Sequence, residues 1–448
     1  MSKYKVLQIA AKLDLGGTEK TLQLFSQHLN KDLFKVVVCG WVEGGVRAEQ
    51  LKAEGFKVFC SNNDKLQLIK VMKDEKIQIV HVHRSGFGDN FVIEAAQNAR
   101  VPVIIETNVF GRVDETSWEK YIDCHIFISK TCALRYKHWV GLNWESFFQR
   151  HRVLYYPISL AEIDWCRFGS KKIAELKKYY NIPVNAPVVG RIGRPAPAKW
   201  PAPGAFSSIL RKLISLVPEA KILLMGAPTN ILDSLAKTKL YNNVIPLEPS
   251  PDPERVMEFY SMIDVLLHLA KIGESFGLVI AEAMAMGKPV ITRATPLHDD
   301  AQVELIDHGS NGYVAYDEKA LAEATADLLS NEHKRKEMGL KARRKVETFY
   351  DVDQVTRQLE SLYLEFLEKK GVRVDASVSA EYRSLVSSPT QDEIANFEND
   401  YKKRVRTCWG KPSWSEILGY EYLFRHQSIY NMARQVKKIA QVLPGTMK

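Results

Sequence analysis

The sequence predicts an α/β protein of two domains, each built on a buried parallel sheet, followed by a C-terminal extension. Three observations carry this. At 448 residues, with 46% hydrophobic and 26% charged residues, the chain has an ordinary globular composition and is long for one hydrophobic core. Short β-branched runs alternate with amphipathic segments, the pattern of βαβ units. That rhythm halts at a polar, lysine-rich passage, Ser170 to Tyr180, and then restarts.

Taken in order, Val6 to Ala11, Val36 to Cys39, Lys57 to Cys60, Ile77 to His83, Val103 to Thr107, Ile126 to Ser129 and Val153 to Tyr155 read as the strands of a first domain, residues 1–165. Helical patterns separate most of them, which implies a parallel sheet covered on both faces. Val188 to Ile192, Lys221 to Met225, Val244 to Leu247, Val265 to His268 and Val290 to Thr292 supply a second domain, residues 166–370. Helical spacing of Leu321, Ala324, Leu328 and Leu329, of Met338, Ala342 and Val346, and of Val355, Leu359, Leu362 and Phe366 predicts successive helices closing that second domain near Lys370.

Residues 371–448 form the extension. Gly371 to Thr390, rich in Ser and Val, reads as a linker, and the rest is aromatic, basic and partly helical. The net charge of +9 is concentrated there: between 401 and 448 ten Lys or Arg face only Glu416 and Glu421. Basic clusters (Lys402-Lys403-Arg404 with Arg406; Lys437-Lys438) among Trp409, Trp414, Tyr420, Tyr422, Phe424 and Tyr430 suit a peripheral contact with an anionic membrane surface. Packing on the other domains or self-association suits the same composition. No nucleic-acid motif accompanies it, and nucleic acid is not expected as a partner.

No apolar run reaches the roughly 18 to 20 residues of a membrane span, and the expectation is a cytoplasmic protein, peripheral at most. Cys39, Cys60, Cys124, Cys132, Cys166 and Cys408 include no CxxC pair and suit buried free thiols in a reducing compartment.

Three segments carry chemistry. Gly16-Gly17-Thr18-Glu19 lies between the first strand and a helix, where glycine allows close backbone approach and helix amides favour an anion. It is not GxGxxG, and strand-Gly-helix turns also occur for conformational reasons alone. Gly193-Arg194, with Lys199 five positions on, follows the strand opening the second domain; two cations there suit a diphosphate, although the proline-rich loop also reads as a rigid connector. The third segment, Gly273 to Pro289, is a loop that becomes a helix and stops at Gly287-Lys288-Pro289. Seven residues separate Glu274 from Glu282, so the two carboxylates reach different hydroxyls of an elongated ligand while the helix amides face a phosphate.

This third segment resembles the E-x7-E signature of family 4 glycosyltransferases, with the surrounding E-x-F-G-L-x-x-x-E-A-M-A-x-G-K-P-V nearly intact. Gly16 to Glu19 resembles that family's N-domain glycine loop, Gly193-Arg194 with Lys199 its phosphate-binding pair, and Glu304 to Gly312 its E-I-I-x-x-G-x-N-G segment. The resemblance spans roughly residues 4 to 369. It implies the GT-B architecture, two Rossmann-like domains facing across a cleft, and a retaining transfer of sugar from a nucleotide diphosphate to a glycan or lipid-linked acceptor. It further implies that Arg194 and Lys199 hold the diphosphate, Glu282 the ribose and Glu274 the transferred sugar, that Phe276, Gly277 and Leu278 offer backbone contacts, and that Gly16 and Gly17 close over the phosphates. No cofactor and no metal is expected, since Arg194 and Lys199 supply the positive charge.

Three departures bear on pocket detail. Glu106-Thr107-Asn108 stands where many family members carry a histidine; Asn108 replaces it among the catalytic candidates and donates a hydrogen bond but cannot act as a base. Thr295 to Asp300 replaces a Gly-Gly loop, and Tyr155-Tyr156-Pro157 lacks an Asn before the proline. His81 and His83 share a strand face and, with Asp89, could form a metal site; two cleft-edge histidines with polar partners is the alternative. Asp299-Asp300 after His298 evokes a metal-binding carboxylate pair, but two adjacent acids in a loop read more readily as solvated. A nucleotide-sugar epimerase and a non-catalytic nucleotide-sugar or glycan-binding protein of the same fold remain the alternative functions.

Overall fold

The computed structural model describes residues 3–421 apart from 87, 89, 165, 166, 297 and 386, and residues 426, 428, 429 and 432 beyond them. The first sheet contains β1 (Tyr4–Lys12), β2 (Phe34–Glu43), β3 (Lys57–Cys60), β4 (Ile79–Arg84), β5 (Val103–Asn108), β6 (Cys124–Phe127) and β7 (His151–Val153). The second contains β8 (Val188–Ile192), β9 (Lys221–Met225), β10 (Val244–Leu247), β11 (Val265–His268), β12 (Val290–Arg293) and β13 (Gly312–Ala315). Strand order is β3-β2-β1-β4-β5-β6-β7 and β10-β9-β8-β11-β12-β13, with every pairing parallel. In each sheet the order reverses beside the first strand, between β1 and β4 and between β8 and β11. Ligands of open α/β sheets bind at the carboxyl ends of strands flanking such a reversal.

The strands form where β-branched residues crowd. Ile79 to Arg84 and Val103 to Asn108 are buried throughout, as parallel strands covered on both faces must be. β13 was not anticipated. It is a four-residue edge strand directly behind Gly309-Ser310-Asn311, too short for its alternation to register.

Two packing arrangements differ from the sequence expectation. The helix Val352–Lys369, expected to close the second domain, lies instead on the first: Leu359, Tyr363, Leu364 and Leu367 pack with Tyr4, Val6, Phe25 and Phe34. Helical periodicity identifies an apolar face but not the sheet it covers. Residues 371–390 are likewise more than a linker, because they contain the helix Ala376–Arg383, whose Tyr382 is buried with its hydroxyl 2.7 Å from Glu360 Oε2.

The extension then bridges the domains. Thr390 and Glu393 cap the helix Gln391–Arg406 reciprocally. Ile394, Phe397, Tyr401 and Val405, at helical spacing, bury one face between the first-domain helix Lys130–Val140 and the second-domain turn Gln302–Leu305. Trp409 accepts from Tyr316 N–H at 3.1 Å and donates to Val314 O at 2.8 Å, covering the open edge of β13. Arg404, part of an expected basic cluster, is committed to Asp307 at 2.7 Å and to Asp400. Tyr422, Phe424, Tyr430, Lys437 and Lys438 lie outside the described residues. Among the described residues, no helix is long and apolar enough to cross a membrane.

Cys39, Cys124 and Cys132 are buried free thiols, and Cys60 and Cys408 are free and half-buried; Cys166 lies outside the described residues. His81 and His83 have polar partners as anticipated but sit in the core rather than at a cleft edge. His81 lies 2.6 Å from Tyr363 Oη and 2.8 Å from Thr107 Oγ1, and His83 lies 2.7 Å from Gln8 Oε1. Burial pushes the His83 imidazole down to about 3, and burial with the neighbouring His83 holds His81 well below its ordinary value, so both rings stay neutral. Asp89, the third residue of that metal-site reading, lies outside the described residues.

Candidate functional site

The site is built on loops leaving β8 and β11, the two strands at the reversal of the second sheet. After β8 the chain enters the 193–200 loop, and Lys199 ends its short 3-10 turn, Pro197–Lys199. Arg191, inside β8 and 1% exposed, supports that loop from below. Its guanidinium lies 4.7 Å from the Trp200 ring and donates to the carbonyls of Ile192, Lys199 and Leu269. Burial lowers its pKa to about 10, with Glu274 opposing the shift, so it remains a cation. Arg194 itself is exposed; Trp200 Nε1 donates to its carbonyl at 2.9 Å, which fixes the backbone from which the side chain reaches out.

After β11 the chain passes through Gly273, whose φ of +66° suits glycine and where an added Cβ would lie 1.7 Å from Asp299 O. That contact clamps the 273–277 loop onto the 295–300 loop. Glu274 then points at the β8 side: its Oε2 lies 2.8 Å from Lys199 Nζ, and its Oε1 3.3 Å from His268 Nε2. Burial works against ionisation of Glu274, yet His268 and Lys199 override it and hold the carboxyl down at about 2. His268 is pushed down to about 4, chiefly by burial and secondarily by Arg191. At neutral pH the group is therefore a carboxylate beside a neutral imidazole and two cations.

The helix Leu278–Ala285 follows with Gly277 as its N-cap, so its first amides face the same space. Glu282, one turn inside, accepts from Tyr260 Oη at 3.0 Å and pairs with Lys20 of the first domain at 3.3 Å. Phe276 is ordered by its ring, which stands edge-on to Tyr350 at 5.3 Å and lies 5.8 Å from Tyr156 in the seam between domains. Its backbone is left to face the loop.

The first domain closes on this face through the glycine loop. An added Cβ at Gly17 would lie 3.0 Å from the Leu278 Cδ1 methyl, so glycine lets the loop meet the second domain without that side chain having to shift. Gly16 precedes it as N-cap of the helix Gly17–His28. Glu19 feels the charges of Arg194 and Arg47, although burial is the larger influence and raises its pKa. The structure thus joins Lys199 to Glu274, Glu282 to Lys20 and Leu278 to Gly17 and brings the charge of Arg194 to Glu19, with Gly16, Phe276 and Gly277 adjoining these contacts along the chain.

Asn108 is placed differently. It is fully buried at the end of β5, its Nδ2 donating to Arg112 O at 2.7 Å and its Oδ1 accepting from Arg112 N–H at 3.1 Å. Its amide is buried and serves its own loop. Beside it Glu106 forms a bidentate pair with Arg84, both bonds 2.7 Å, and meets His125 at 3.1 Å. Asp299 and Asp300, expected to be solvated, are both engaged: Asp299 pairs with Arg135 at 2.7 Å, and Asp300 is fully buried.

Sequence reasoning missed Arg191, His268, Tyr260 and Lys20. A charged residue inside the apolar run Val188 to Ile192 was an available signal for Arg191, since parallel core strands seldom hold an uncompensated cation. His268, at the end of a strand beside the topological reversal, offered a second. Tyr260 and Lys20 carried none, because their role depends on domain contact.

Comparison with known proteins agrees with this geometry. Residues 175–345, which hold both cations and both carboxylates, match the family model described as glycosyl transferases group 1. The N-acetyl-alpha-D-glucosaminyl L-malate synthase of Bacillus anthracis is 29% identical over 213 residues, 46% of this chain and 52% of that protein; the chain therefore spans about half the length of this curated relative. Among solved structures, a glycosyltransferase from Rickettsia africae superposes with a TM-score of 0.68 at 17% identity, covering 82% of this chain and 100% of the other. Anabaena Alr3699/HepE, solved with UDP and glucose, gives a TM-score of 0.66 at 17% identity, covering 81% of this chain and 100% of the other. Sheet order, domain pairing and these likenesses together establish a GT-B fold in which residues 175–345 match the glycosyl transferases group 1 model.

Proposed function

We propose that the chain transfers a sugar from a nucleotide diphosphate sugar to a glycan or lipid-linked acceptor, with retention at the anomeric carbon and without a metal ion. The observation that carries this reading is the pairing of Lys199 with Glu274 at 2.8 Å beside the amide end of the helix Leu278–Ala285, at the reversal point of the second sheet. Breaking the bond between the anomeric carbon and the β-phosphate oxygen leaves negative charge on the diphosphate. Arg194, Lys199 and the helix amides are fixed positive groups that would stabilise that charge without reorganising. Glu274, held ionised, would accept hydrogen bonds from sugar hydroxyls, and Glu282 from the ribose. The neighbour solved with UDP and glucose supports the same class of donor.

The acceptor would lie on the first-domain side, above the carboxyl ends of β1 and β4. Peripheral membrane contact, proposed for residues 401–448, is assigned to the part beyond Lys411, where Trp414 is 80% exposed, since the helix before it is packed. A cytoplasmic location is part of the same proposal.

The test is a thermal-shift and hydrolysis screen of UDP-, GDP-, ADP- and dTDP-sugars, with and without EDTA, on the unaltered protein, Glu274→Ala and Arg194→Ala. A donor that stabilises the unaltered protein, is turned over despite EDTA and loses both effects in the variants supports the reading. Binding that survives both substitutions, or turnover abolished by EDTA, contradicts it.

A further inference from the structure

We propose that Tyr401 of the C-terminal bridging helix is a positioning residue for Glu274, acting through Asp300 and Gln302 to set the pose of the donor's sugar. The proposal rests on the donor-site reading above and assigns to the extension, which lies outside the matched segment 175–345, a part in selecting the sugar.

The path is continuous. Tyr401 Oη donates to Asp300 Oδ2 at 2.9 Å. The other oxygen, Oδ1, accepts from the Thr295 N–H at 2.7 Å and from Gln302 Nε2 at 3.0 Å. Gln302 Oε1 accepts the backbone N–H of Glu274 at 3.0 Å, while the Ala301 N–H donates to the Glu274 carbonyl at 2.8 Å. Both backbone groups of Glu274 are therefore held from the segment that Tyr401 fixes.

The orientation of Gln302 is determined by its surroundings. Its Nε2 faces Asp300 Oδ1, Thr295 Oγ1 at 2.6 Å and the Arg293 carbonyl at 3.0 Å. The Thr295 hydroxyl donates to Asp299 O at 2.7 Å and so is an acceptor toward Gln302. Turning the amide over would set its nitrogen against the Glu274 N–H and its oxygen against these acceptors. Asp300 and Gln302 are 0% and 1% exposed and Tyr401 2%, so a lost bond is not readily replaced by water.

The helix carrying Tyr401 is anchored independently by Ile394, Phe397 and Val405, so removing the hydroxyl leaves its packing in place. The effect should be largest at Glu274, assigned to the sugar, and smaller at Arg194 and at Lys199, its ion-pair partner, because their loop is held separately by Arg191 and Trp200. Small displacements of a positioned group are costly.

The experiment measures affinities of the full chain by calorimetry for UDP-glucose, UDP-N-acetylglucosamine, GDP-mannose and ADP-glucose, and for the nucleoside diphosphate of whichever binds most tightly. The readout is the preference for nucleotide sugar over that diphosphate. Tyr401→Phe is expected to keep diphosphate affinity within about twofold and to lower the preference about fivefold or more, toward the value of Glu274→Gln. Phe397→Leu, which loosens the same helix but retains the hydroxyl, is expected to keep the preference. Gln302→Met, which removes the amide that links Asp300 to the Glu274 N–H while keeping the volume, breaks the path at its last member and gives the same reading should Tyr401→Phe fail to fold. An unchanged preference in the folded path variant, or an equal fall of both affinities in it and in Phe397→Leu, overturns the proposal. If Glu274→Gln itself keeps the preference, the donor-site reading fails and the positioning role falls with it.

Discussion

Glu304 belongs to the second domain but completes a helix of the first. It is 3% exposed, and its carboxylate accepts from the Lys130 and Thr131 backbone amides, both at 3.2 Å, from Thr131 Oγ1 at 3.3 Å and from Tyr155 Oη at 2.8 Å. Those amides open the helix Lys130–Val140, so the carboxylate also meets the positive end of its dipole. Hydrogen bonds to charged groups contribute about 1.5–3 kcal/mol each, but burying the carboxylate costs several kcal/mol and offsets much of the sum. Removing one partner of such a buried arrangement costs about 3–5 kcal/mol, the expectation for Glu304→Ala. Glu304→Gln keeps the shape and one acceptor but turns an amide nitrogen toward donors, and about 2 kcal/mol is expected. Urea unfolding followed by tryptophan fluorescence measures both losses, and hydrogen exchange at the Lys130 and Thr131 amides localises them. Unaltered midpoints and fully protected amides in both variants would show that Glu304 does not hold this helix end.

Gly273→Ala should weaken nucleotide-sugar binding by tenfold or more, because a Cβ at φ +66° and 1.7 Å from Asp299 O forces the Glu274 loop to move; titration of the purified variant measures this. Lys199→Met should lower donor turnover by about 10²–10³ by removing a fixed charge from the leaving group, read as kcat in a diphosphate-release assay. Burial raises Asp300 to about 7 against the hydrogen bonds from Thr295 and Tyr401 that favour its ionised form. The folded chain thus holds this proton where the unfolded chain, with a carboxyl near 3.8, has released it. Its contribution is complete below about 4 and is lost as pH rises through about 7. Asp300→Asn should therefore flatten the fall in thermal midpoint between pH 5 and 8, and an unaltered slope would contradict the assignment.

Much of the architecture is legible in the sequence because it is local. β-Branched runs bounded by polar turns mark most strands, and the loop-to-helix segment from Gly273 to Pro289 declares both carboxylates and the helix end between them. What the sequence hides is set by contacts between distant segments. Val355, Leu359 and Phe366 announce a buried helix face, yet the covering sheet is the first, contributed from more than 200 residues away. Tyr401 reads as one aromatic among many until the fold brings it to Asp300. Asn108 occupies an expected catalytic position, but Arg112, four residues on, claims its amide. Asp299-Asp300 looks solvated because neither Arg135 nor Tyr401 is near it in sequence.

The most direct test of the donor site is the structure of the chain with the nucleotide sugar selected by the binding screen. Diphosphate oxygens are expected within hydrogen-bond reach of Arg194, Lys199 and the amides at Gly277 and Leu278, with ribose hydroxyls on Glu282 and the sugar against Glu274. A nucleotide seated on the first domain, or between the domains with Arg194 and Glu282 untouched, would contradict it.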